Sequence, residues 1–84
     1  MQLKIHDSYR PIVALADSSL IGMRFEEGMR QIEVRENFFK GEELDEGAVI
    51  ARLHDMHKED ATFNIVGKES IAAALKAGII SESG

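Results

Sequence analysis

Eighty-four residues, 44% hydrophobic and 30% charged, describe one ordinary globular domain, too short for two and too apolar to stay disordered. The absence of cysteine excludes disulfide scaffolds, thiolate metal sites and cysteine nucleophiles. The net charge of −5 is uneven: residues 1–40 carry six basic and six acidic side chains, and residues 41–84 carry four and nine. Phosphate binding depends on clustered Lys and Arg, so RNA would have to meet the N-terminal half, and no DNA binding is expected.

In chain order, Gln2–His6 alternates Leu3 and Ile5 against polar neighbours, the pattern of a half-buried strand. The chain enters this strand directly, without the apolar core of a signal peptide. No apolar run approaches the ~20 residues of a membrane span, which predicts a cytoplasmic protein away from membranes. Asp7-Ser8-Tyr9-Arg10 reads as a turn, and Pro11 opens a second strand through Ala16. Asp17-Ser18-Ser19 is a second turn, its short oxygen-bearing side chains suited to nearby backbone N–H groups. Leu20–Phe25 and Met29–Val34 read as two strands joined by a three-residue loop, Glu26-Glu27-Gly28. That loop would set Phe25 opposite Met29 and Arg24 opposite Arg30. Both hairpin faces then carry apolar residues, and which of them is core stays open.

Asn37-Phe38-Phe39-Lys40-Gly41 closes the strand-rich half. Asp45 is suited to cap a helix running to about His57, with Val49, Ile50, Leu53 and Met56 as its apolar stripe. Thr62–Val66 is a short strand or an extended linker. The stretch around it, Ala61–Gly78, organises the chain: an apolar segment runs into Gly67, and an Ala-rich helix then runs from Lys68 to Ala77. Gly78 sits where a left-handed stop is wanted, and Ile79 follows to pack back on the last turn. The whole predicts an α+β fold over residues 1–84. A small antiparallel sheet of four or five strands comes from about 1–41, packed on two helices from about 44–80.

The candidate chemistry is sparse. Gly67 before a helix matches the arrangement in which free N–H groups hold an anion, with Asn64 and Lys68 as possible contributors, although a tight turn between packed elements also accounts for the glycine. Arg24 and Arg30, opposed across a hairpin, would repel unless a phosphate or a neighbouring Glu lay between them. Arg35 and Lys40 would extend that basic patch, and Phe39 could stack a base, although such a ring more often belongs to a core. His54 and His57, three apart on a helix, are weak metal candidates beside the simpler reading of two surface histidines. No metal or other cofactor is expected. No pair of carboxylates and no serine stands in a recognisable catalytic context.

Several elements in order carry a resemblance: Asp17…Leu20-Ile21-Gly22…Phe25-Glu26-Glu27-Gly28, then Phe38-Phe39-Lys40-Gly41-Glu42, then Asn64-Ile65-Val66-Gly67 and Ala77-Gly78-Ile79-Ile80. Over nearly its whole length the chain resembles the archaeal domain-of-unknown-function family 424. The resemblance implies a small archaeal cytosolic α+β protein with no established activity, and members are sometimes labelled RNA-binding. Its pattern falls on Asp17, Gly22, Phe25, Glu26, Glu27, Gly28, Gly41, Glu42, Asn64 and Gly67. Of these, Glu26, Glu27 and Asn64 are polar positions that local geometry does not demand, and they become binding candidates. The resemblance also implies a further short strand and a Pro-His-containing tail, which these 84 residues do not include.

Three functions are therefore expected, in this order. The first is an interaction module without catalytic activity, self-associating or bound to a protein partner. Next comes an RNA- or ribonucleoprotein-associated accessory protein using the Arg24/Arg30 hairpin. A ligand or metal site near Gly67 or the histidine pair is third.

Overall fold

The computed structural model describes residues 1–7 and 9–80, and of Glu27, Arg30 and Ile32 the backbone alone. Ser8 of the first turn and the Ser-Glu-Ser-Gly end lie outside the described residues.

Strand β2 (Ile12–Ala16) is the centre of the molecule, because its run Ile-Val-Ala-Leu-Ala is apolar on both faces. Strands buried on both sides read as continuous apolar runs rather than as alternation. β1 (Gln2–His6) pairs with it antiparallel, Leu3 opposite Leu15 and Ile5 opposite Val13. On the outer side of β1 lies the two-residue β5 (Glu42–Glu43), also antiparallel. On the other side of β2 lies β6 (Thr62–Val66), parallel to it, giving the sheet order β5-β1-β2-β6.

One face of the sheet presents Leu3, Val13 and Leu15 to two helices, α2 (Glu46–Lys58) and α3 (Lys68–Ala77). Val49 and Leu53 of α2 and Ala73 and Ala74 of α3 complete this core and are fully buried apart from Leu3 at its rim. Each fully buried Leu or Val contributes about 1.5–3 kcal/mol. Asp45 caps α2 by accepting from the Ala48 N–H at 2.8 Å. Gly78, at φ 78°, ends α3, and the Ile79 N–H returns to the Ala74 carbonyl as Ile79 folds onto the core. The expected helix ends therefore hold to within a residue.

The opposite face carries Ala14 and Ala16, small enough for a second layer to come close. That layer is the hairpin of β3 (Arg24–Glu27) and β4 (Arg30–Glu33) with the one-turn helix α1 (Glu36–Phe39). Val34 and Phe39 are buried in it, with Leu20, Phe25, Phe38 and Val66 around them. Lys4 Nζ donates to the Asn37 carbonyl at 2.8 Å, and the His6 ring stacks on Phe38 at 4.5 Å, so β1 holds α1 in place.

The α+β class and the sheet packed on two helices are as the sequence predicts. Four details differ. Thr62–Val66, readable as a strand or a linker, is a strand, and it enters the expected antiparallel sheet parallel to β2. Leu20 belongs to a 3-10 turn (Ser18–Leu20), not to a strand. The hairpin forms a separate two-stranded sheet instead of extending the main one. Its loop has two residues, Gly28 and Met29, with Gly28 at φ 61° in the first central position, where a II′ turn asks for glycine. The shorter loop changes every pair. Arg24 stands opposite Glu33, Phe25 opposite Ile32 and Glu27 opposite Arg30, so Arg24 and Arg30 do not face each other. Met29 falls in the exposed turn and Met23 is 45% exposed, so the second apolar hairpin face does not form.

Candidate functional site

Two features meet where β2 and β6 end. Asp17, 8% exposed, follows β2 and turns its carboxylate into the first turn of α3. Its Oδ1 accepts from the Ser70 N–H at 2.8 Å and the Ser70 hydroxyl at 2.7 Å, and its Oδ2 accepts from the Glu69 N–H at 3.2 Å. The carboxylate thus acts as a cap supplied from 52 residues away, and it meets the positive end of the α3 dipole. Gly67, at φ 108°, is the residue against which it rests, and any Cβ there would enter the carboxylate. The anion that Gly67 and the α3 N-terminus are suited to hold is therefore part of the chain.

Lys68, the other half of that expectation, points elsewhere. It lines an open depression of about 480 Å³ between the starts of α2 and α3, together with Met1, Leu44, Asp45, Glu46 and Glu69. The three carboxylates beside Lys68 make this a poor site for an anion.

The second feature is the outer side of β6. Its ladder to β2 runs Thr62 N–H to the Pro11 carbonyl at one end and Asp17 N–H to the Val66 carbonyl at the other. In a parallel ladder alternate residues bond the neighbour through both backbone groups. Thr62, Asn64 and Val66 therefore turn theirs toward β2, and Phe63 and Ile65 turn theirs outward. Among the described residues no strand lies beyond β6 to receive them. The Asn64 side chain is exposed. Beside this edge lies the flank of α3 that faces away from α2. The other flank is tied to α2 by the Lys76–Glu46 bond at 2.8 Å, and the free flank carries Ile71, 42% exposed.

The remaining candidates are dispersed. Glu26 is exposed and accepts from Gln31 Nε2 at 3.3 Å. The side chains of Glu27 and Arg30 lie outside the described part of the structure. Arg24 reaches Glu33 at 3.9 Å and Lys40 reaches Glu36 at 3.2 Å, so two of the four cations of the basic patch have acidic neighbours. Arg35 is exposed just before α1. Phe39, expected as a stacking platform, is 6% exposed and packs edge-on to Phe38 within the second core, out of reach of a base. His54 and His57 are exposed on α2, and His6 is occupied by Phe38. No three His, Asp or Glu side chains among the described residues converge as a metal would require.

What sequence reasoning missed is the pairing of Asp17 with Ser70 and the open edge of β6. The signal for the first was a lone Asp after an apolar strand beside a Gly-x-x-Ser helix start. For the second it was a strand with neither charge nor proline.

Together these features define a small α+β protein built around a mixed sheet, with a latched helix start and, among the described residues, no strand beyond β6. The chain belongs to the family described as protein of unknown function (DUF424), whose model matches residues 6–84. In fold it is similar to the crystal structure of an uncharacterized conserved protein from Methanopyrus kandleri, an archaeon. The TM-score is 0.88 at 20% identity, over 98% of this chain and 76% of that one. No curated protein matches. No helix among the described residues is long and apolar enough to cross a membrane.

Proposed function

We propose that this protein is an interaction module without catalytic activity, and that it binds an extended protein segment added as a strand to β6. The observation that carries this reading is the outward N–H and C=O groups of Phe63 and Ile65 on an edge of sequence Thr-Phe-Asn-Ile-Val. Exposed edges are normally blunted by charge, proline, a bulge or shortness, and β6 has none of these. Main-chain bonds from such an edge supply affinity, and side chains beside it supply selectivity. Asn64 and the exposed Ile71 are placed for that role. The RNA-associated alternative has less support, because Phe39 is buried and Arg24 and Lys40 already have carboxylate neighbours.

The test is site-specific photo-crosslinking. A benzophenone side chain at Thr62, exposed on β6, should give discrete protein adducts in an archaeal extract, and the same group at Arg52 on α2 should not. Adducts at Arg52 but not at Thr62 would overturn the proposal. Adducts that disappear with nuclease would favour the RNA-associated reading instead.

A further inference from the structure

We draw no further inference here: the strongest candidate, the open depression between the starts of α2 and α3 lined by Asp45, Glu46, Lys68 and Glu69, is two helix N-termini beside a cluster of carboxylates, and no buried, unpartnered polar side chain among the described residues is aimed into it to mark a ligand.

Discussion

The two edges of the sheet are built on opposite terms. β5 is two residues long, both of them exposed glutamates, and the chain around it is fastened. The Met1 ammonium donates to Glu43 Oε2 at 2.6 Å, the Ser18 hydroxyl donates to Oε1 at 2.6 Å, and Arg52 reaches Glu42 at 3.1 Å. A further chain approaching here would meet negative charge and only two residues of ladder. β6 is five residues long and uncharged, and among the described residues its ladder bonds run only to β2 on its inner side. The first edge is closed by design of charge and length, and the second relies on whatever lies beside it. Among the described residues, β6 has neither the charge nor the shortness that keeps β5 from taking a further strand.

Each edge also has a glycine at a close approach, and substituting the two tests how far each fastening matters. Gly67→Ala should have the larger effect. It forces a side chain into φ 108° and into the Asp17 carboxylate, which releases the start of α3 and leaves Ser70 buried without its partner. A loss of about 3 kcal/mol or more is expected, a large part of the stability of a domain this small, measured as a lowered urea midpoint. Gly41→Ala should come next. Its Cβ would run into the Leu3 carbonyl and the Lys4 Cβ and push β5 off β1, at a cost of about 2 kcal/mol, while β6 stays paired to β2. If Gly41→Ala abolished binding at β6, the two edges would not be independent.

The smallest effect belongs to Glu43. The Met1 ammonium first, and then the Ser18 hydroxyl, hold its carboxyl below the ordinary carboxylate range. A carboxyl with a depressed folded value contributes stability that is fully present above its unfolded value of ~4.3 and is lost as pH falls through the lower folded one. Glu43→Gln should therefore flatten the acid limb of a stability-versus-pH curve slightly and change nothing near neutrality. The group is fully exposed, so the change should shrink further in high salt.

Much of the fold was legible because it is written locally. Asp45 before an apolar stripe, and Gly78 followed by Ile79, are helix-end signals that need only a few neighbouring residues to act. Leu3 and Ile5 alternating with polar residues marked β1 for the same reason. What was not legible depends on distance along the chain. Nothing within Thr62–Val66 says that it will lie parallel to a strand fifty residues earlier. Asp17 looked like a local turn former, because a carboxylate one residue past a strand usually bonds its own neighbours; its partners are at 69 and 70. The hairpin was misjudged by one residue. Gly28 satisfies a left-handed position in a loop of either two or three residues, and only packing on Ala14 and Ala16 chooses between them. Phe39 followed the same rule: a ring beside Phe38 could face either way, and the second layer took it inside.

The Asp17 cap also orders events in time. Its three hydrogen bonds close a loop of more than fifty residues, and closing long loops before they are rewarded is what slows a chain's search. The first turn of α3 has no side-chain cap of its own, since Gly67 offers none. That turn should therefore stay frayed until the β2–α2–β6 crossover has docked, and β6 should be among the last strands to settle.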